Sequence, residues 1–327
     1  MSRDPERPHR RAAMACLVTG VYRLEKDRKH GIRKLFRSHA DTAGTSIWWT
    51  HFRYELVQVL TDPPETRGSN AVFGAVFRSQ LAGYCGNGEG AAPAPAPAMV
   101  IAFRGTMMRK ADLKAELRMY VGRLESDPWL PVALKAVESA VEEVGWERVC
   151  VAGHSKGAAL AALVGRAMAD KGKLIEAHLF NPPHPTAEAA SMAMAEMEME
   201  MESESESEKL EQQEWRPRVY VNTQDPVSSA YIGFYEADNS MPARLREAVA
   251  APPSIGKCIQ RKLGIDPRPH RLFIPRAQLF IHKPQAALLK PHKLLQWCDL
   301  HLQDLRTVDA RRSVCSSSRN DQQLVIV

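Results

Sequence analysis

Apolar positions along the chain recur with two periods, and the changes between them mark out the elements. Residues 12–24 hold apolar side chains at helical spacing, with Leu17, Val21 and Leu24 on one stripe, which predicts one or two helices reaching to about residue 37. Two runs rich in β-branched and aromatic residues, "YELVQVL" (54–60) and "NAVFGAVFRS" (70–79), predict strands. "MVIAFRGT" (99–106) is nearly all apolar up to its end, as in a strand buried on both faces. Helical periodicity returns in residues 109–124 and 128–145, the second ending at Gly145. Then come a strand "RVCVA" (148–152), a helix "KGAALAALVGRAMAD" (156–170) and a strand "IEAHLF" (175–180). The alternation of strand and helix predicts an α/β fold, a mostly parallel sheet with helices on both faces.

Two segments break this pattern without ending it. The Gly then Ala-Pro run at 86–98 has no side chains to pack and predicts a surface loop. Residues 187–214 alternate Met with Glu and then Ser with Glu, so they repel themselves and offer almost nothing to a core, which predicts a disordered or solvated insertion. The strand pattern resumes in "RVYVNTQDPVS" (218–228), as expected where an insertion interrupts one domain. The organisation expected is therefore a single domain over residues 11–302 with low-complexity insertions at 86–98 and 187–214, between flexible tails at 1–10 and 303–327.

Composition narrows the class. The chain of 327 residues is 44% hydrophobic and 25% charged, ordinary values for a soluble globular protein large enough to bury a full core. Its net charge of +6 is spread out, and the basic residues near the N-terminus alternate with apolar ones. They read as a solvated helix face instead of a nucleic-acid-binding block; transient contact with a membrane or lipid surface is compatible with them. The six cysteines are scattered with no Cys-x-x-Cys pair, which argues against a zinc site and a disulfide scaffold. Cys150, inside a strand pattern, is expected to be a buried, reduced thiol. The apolar run at 12–22 is too short to cross a bilayer and is followed at once by charges, so the expected location is cytoplasmic.

The chemistry concentrates at "VAGHSKGAALAAL". Gly-x-Ser-x-Gly between a strand and a helix suits a nucleophilic serine, here Ser155, held on a strained turn with its hydroxyl clear of the sheet. The glycines avoid collisions between strand and helix, and the helix N-terminus favours an oxyanion. Such a serine needs a base and an orienting acid, in the chain order Ser, Asp, His for this kind of turn. Asp225 closes the strand "VYVNTQD" and is the leading acid, ahead of Asp238 and Asp266, which follow no recognisable strand. Among His270, His282, His292 and His301, His292 lies at a Pro-marked loop leading into a helix and is the preferred base. The backbone N–H of Lys156 and Thr106 at the end of "AFRGT" are the expected oxyanion donors.

Taken together, "VIAFRGT", "VAGHSKGAALAAL", "LFNPP", "VNTQDPVSSAYIG" and "PHKLLQW" resemble the class-3 lipases, and more closely the plant lipase-like proteins of that superfamily. The resemblance implies an α/β-hydrolase fold and a triad of Ser155, Asp225 and His292, with Thr106 as an oxyanion donor. It also implies hydrolysis of acyl-lipid or small ester substrates without a metal or organic cofactor. The chain departs from the family at Lys156, where a leucine usually follows the nucleophile. A second reading is a hydrolase-fold protein that no longer catalyses and instead binds lipid or a protein partner.

Overall fold

The structure, a computed structural model, describes residues 6–29, 48–63, 70–81, 96–107, 127–183, 215–229, 231–232, 274, 276–285, 291–302 and 305–311. An eight-stranded sheet holds its strands side by side in chain order. They are β1 (Tyr54–Thr61), β2 (Val72–Ser79), β3 (Met99–Phe103), β4 (Val149–His154), β5 (Glu176–Phe180), β6 (Arg218–Asn222), β7 (Arg276–His282) and β8 (Leu305–Arg311). Strands β3 to β7 run parallel, while β1 and β2 at one end and β8 at the other are antiparallel to their neighbours.

This strand order decides where the helices lie. Each step from β3 to β4 to β5 moves one place in the same direction, so right-handed crossovers put both connecting helices on one face. Those helices are α3 (Trp129–Val144) and α4 (Lys156–Ala169); a single turn, α2 (Trp48–His51), precedes β1. They pack on Met99, Ile101, Phe103, Val149, Val151, Leu179 and Val219. The alternate strand residues, Val100, Ala102, Cys150, Ala152, Phe180, Tyr220 and Phe280, point to the other face, as the period of two requires. There α1 (Glu6–Lys29) covers them with Met14, Leu17, Val18, Val21 and Leu24. The parallel sheet, covered on both faces and carrying a serine turn at the C-terminal end of β4, is the α/β-hydrolase fold.

Three features differ from the sequence reading. The helix α1 begins at Glu6, inside the expected N-terminal tail. Residues 305–311, expected in a flexible tail, form β8, whose backbone pairs with β7 from Leu305↔His282 to Arg311↔Arg276; an antiparallel edge strand needs only backbone donors and acceptors on one side, so its polar composition concealed it. The polar residues of α1 are not all solvated: Arg11, Glu25 and Asp27 are buried, because most of the circumference of α1 packs against the sheet and against the segments beside it, Trp48–His51 and Leu294–Cys298. The expected helix at 109–124, the Ala-Pro loop apart from residues 96–98, and the 187–214 insertion lie outside the described residues.

Candidate active site

Ser155 stands between β4 and α4 with φ 55° and ψ −123°, a conformation that a side chain bearing Cβ rarely adopts. What holds it there is close packing: a Cβ on Gly153 would overlap the backbone of Gly157, and a Cβ on Gly157 would overlap the carbonyl groups of Phe103 and Arg104. The Ser155 N–H is also tied to the Phe180 carbonyl of the next strand at 3.0 Å. The two glycines are thus required by the approach of α4 to both β4 and the end of β3.

Asp225, fully buried just beyond β6, accepts a hydrogen bond at 2.8 Å from His292 Nδ1. The same carboxylate oxygen accepts from Asn181 Nδ2 and, at 2.6 Å, from the Ser228 hydroxyl, while its other oxygen accepts from the Val227 N–H at 3.0 Å. Burial alone would raise the Asp225 carboxyl, but the hydrogen bond and charge of His292, with the Asn181 and Ser228 donors, outweigh it and hold the carboxyl below its ordinary range. Since Nδ1 donates to a carboxylate, the Nε2 of a neutral His292 keeps its lone pair. Among the described residues, His292 Nε2 and Ser155 Oγ are two buried side-chain atoms without a hydrogen-bond partner.

The other histidines separate by what surrounds them. His282, at the end of β7, turns its Nδ1 toward Gln296 Oε1 at 3.3 Å. Gln296 Oε1 also accepts from Asn222, and its Nε2 donates to the carbonyls of Pro291 at 2.7 Å and Lys293 at 2.8 Å, so it brackets the backbone of His292. The neighbouring Trp297 donates its indole N–H to Asn181 Oδ1. Both residues of the "Gln-Trp" pair therefore support the loop around His292. His301 is exposed on a turn beyond a short 3-10 segment, Leu294–Cys298, where a helix was expected. His270, Asp238 and Asp266 lie outside the described residues.

A second chain of hydrogen bonds, which no sequence signal marked, connects the strand end at Thr106 to the histidine loop. The Gly105 N–H donates to the Tyr22 hydroxyl at 2.7 Å, and that hydroxyl lies 2.8 Å from His154 Nδ1. His154 Nε2 lies 2.8 Å from the carbonyl of His292. A carbonyl only accepts, so Nε2 carries the proton, Nδ1 is an acceptor, and Tyr22 donates to it. Burial, reinforced by the nearby His292, pushes His154 down to about 3, consistent with a neutral ring in this role. Tyr22 belongs to α1, 83 residues before Gly105, so only folding joins them.

Arg104 is buried beside Gly105; it donates to the Gly105 carbonyl at 2.7 Å and to the Val72 carbonyl. Glu25 of α1 lies 3.9 Å from the Arg104 guanidinium and accepts the Val72 N–H at 2.8 Å, so one buried ion pair fixes the end of β3. Thr106 follows, half-buried. The Lys156 ammonium pairs with Asp127 at 2.8 Å and rests 3.5 Å from the centre of the Trp129 ring, and the Trp129 indole donates to Asp62 at 2.6 Å. Its pKa is lowered, burial outweighing Asp127. The lysine that replaces the usual leucine is thus anchored on α3, and the peptide N–H at this position needs no side-chain help.

One group of metal-capable side chains, Cys150, Glu176 and His178, lies under α1. Glu176 already accepts from His178 at 2.8 Å, from Arg10 at 3.2 Å and from Arg218. Two guanidinium groups at the carboxylate leave this cluster unfit for a cation.

No family model matches the chain. An Arabidopsis thaliana protein named as a GDSL esterase/lipase is 28% identical over 264 residues, which cover 71% of this chain and 73% of that protein. A mutant form of MDLA from Penicillium cyclopium aligns over 94% of this chain and 88% of its own, at 13% identity and a TM-score of 0.43. A lipase from Rhizopus microsporus var. chinensis aligns over 96% and 80%, at 12% identity and a TM-score of 0.39. Among the described residues no helix is long and apolar enough to cross a membrane.

Proposed function

We propose that the protein is a serine carboxylic-ester hydrolase of the class-3 lipase type, acting on acyl-lipid esters such as acylglycerols. The observation that supports this reading is the presence of both a histidine oriented by a buried carboxylate and a strained, buried serine, with His292 Nε2 and Ser155 Oγ each without a hydrogen-bond partner among the described residues. The chain contains no Gly-Asp-Ser-Leu string; its serine turn is Gly-His-Ser-Lys-Gly, which supports the class-3 assignment over the one in its relative's name.

In this reading Ser155 Oγ attacks the ester carbonyl carbon as His292 Nε2 takes its proton. Asp225 keeps the imidazole in the tautomer with Nδ1 protonated and stabilises the imidazolium. The carbonyl oxygen, now an oxyanion, is met by the N–H of Lys156 and by the N–H and hydroxyl of Thr106. His292 returns the proton to the departing alkoxide, and water, activated by the same nitrogen, releases the acid and restores Ser155. Apart from water and the ester itself, these steps call on no group outside the chain.

The test is labelling with a fluorophosphonate together with hydrolysis of short- to long-chain esters by wild type and the Ser155→Ala, His292→Ala and His301→Ala variants. The expected result is labelling and turnover in wild type and His301→Ala, and neither in Ser155→Ala; His292→Ala loses turnover. A folded wild type that neither labels nor turns over any ester would favour the non-catalytic reading.

A further inference from the structure

At the end of β5, the segment "LFNPP" sets one dipeptide, Phe180-Asn181, against supports of all three proposed triad members. The Phe180 carbonyl accepts the Ser155 N–H at 3.0 Å, and Asn181 donates its own N–H to the Tyr220 carbonyl at 2.8 Å, which ties this strand end to β6. The Asn181 side chain, fully buried, reaches between acid and base. Its Nδ2 donates to the Asp225 oxygen that meets His292, and its Oδ1 accepts the indole N–H of Trp297, also fully buried, in the segment that follows His292. Both neighbours demand the same orientation of the carboxamide, since an indole N–H only donates and a carboxylate only accepts. The backbone of Asn181 has φ 46°, a left-handed conformation that asparagine tolerates better than most side chains. An aliphatic side chain here would leave a buried carboxylate short of a donor and a buried indole without an acceptor.

We propose, on the basis of the triad reading above, that Asn181 is a positioning residue that locks the acid to the base. One end of its carboxamide holds the Asp225 carboxylate in place and takes up part of its charge; the other end holds the loop on which His292 stands. The two ends act differently. Burial raises the Asp225 carboxyl, and the donors from His292, Asn181 and Ser228 together bring it below its ordinary range, so Nδ2 acts on charge as well as place. Oδ1 meets a neutral indole and acts on place alone. Among the described residues His154 also faces the pair, its ring centre 4.9 Å from that of His292; pushed down to about 3 by burial, it stays neutral at the pH values where an ester hydrolase is assayed.

The test cuts the two ends separately in the full-length protein, with thermal melts to show that each variant folds. Asn181→Asp keeps the size, the left-handed backbone and the acceptor for Trp297, but exchanges the donor for a carboxylate oxygen. The lost donor and the added charge both favour a protonated imidazole, so the acid limb of kcat/KM for ester hydrolysis should move up by about one pH unit. Asn181→Gly, which also suits a positive φ, removes the donor without adding charge and should move the limb the same way by a smaller step. Trp297→Phe should lower kcat by roughly 10-fold through misplacement and leave the limb where it is. A side chain that only filled space would cost stability without moving the limb. In proton NMR, the far-downfield signal of the proton between His292 Nδ1 and Asp225, identified by its loss in His292→Ala, should be displaced in both Asn181 variants. That signal does not depend on turnover, so an inactive wild type would count against the hydrolase reading alone. A proton signal unmoved in the folded Asn181 variants, or in an active enzyme an unmoved acid limb, would overturn the positioning role.

Discussion

Removing one oxygen atom, by Tyr22→Phe, tests whether α1 helps to build the site. The Tyr22 hydroxyl accepts from the Gly105 N–H at 2.7 Å and donates to His154 Nδ1, 2.8 Å away. Both partners are buried, and phenylalanine leaves each without its bond. A buried polar group left unsatisfied costs about 1–3 kcal/mol, so the variant should be less stable by about 3 kcal/mol. At roughly 2–4 °C per kcal/mol for a chain of this size, the melting temperature should fall by roughly 6–12 °C. The kinetic consequence is separate. Gly105 is the residue before Thr106, and a released peptide there displaces a proposed oxyanion donor. Full removal of such a donor costs about 100- to 1,000-fold in kcat, so displacement should cost roughly 10- to 100-fold with KM little changed. Differential scanning calorimetry and ester-hydrolysis kinetics measure the two effects, and a double-mutant cycle with His154→Gln should give a coupling above about 1 kcal/mol. A variant with wild-type melting temperature and kcat, or strictly additive mutations, would refute the reasoning.

Three further outcomes follow from the same geometry. Because His154 is pushed down to about 3 from 6.5, the unfolded state binds a proton that the folded state refuses across that window. Stability should fall on acidification from about pH 6.5 toward 3 by up to about 1.4 kcal/mol per pH unit from this residue, and urea titrations of His154→Gln should show a shallower slope. Lys156→Met should lower stability by about 3 kcal/mol by leaving buried Asp127 without its cation, while kcat stays within a few-fold because the backbone donor remains; joint replacement with Asp127→Asn should recover most of the loss, as read by thermal melts. Asp225→Asn should lower kcat by about 10,000-fold through the wrong His292 tautomer. The depressed Asp225 carboxyl stabilises the fold fully above its unfolded value and loses that contribution as pH falls through its folded one, so acid melts of Asp225→Asn should lack this part of the decline below about pH 4.

Much of the sheet could be read from the chain because its signals are local. The runs at 54–60, 70–79 and 99–103 became β1, β2 and β3, and Gly145 ends α3. The serine turn was equally legible, since two glycines around Ser155 reflect contacts made within a few residues and at one neighbouring strand end. The strand β8 was not, because its backbone pairing with β7 leaves no apolar alternation in "LRTVDAR". Nor was the role of Lys156, whose partners Asp127 and Trp129 precede it by a whole helix.

The sequence by itself determined the α/β alternation, the strained turn at Ser155 and a short set of acids and bases, because periodicity and turn chemistry act over a few residues. Only the tertiary structure decided which of these side chains meet. It set His292 against Asp225 and turned His282 toward Gln296. It also brought Tyr22 from the first helix to Gly105 and His154. The reason is the sheet order: strands laid side by side in chain sequence send α3 and α4 to one face and leave the other to α1. A helix charged with covering that face carries its polar residues to the strand ends where the candidate site lies, a placement encoded in no local stretch of the chain.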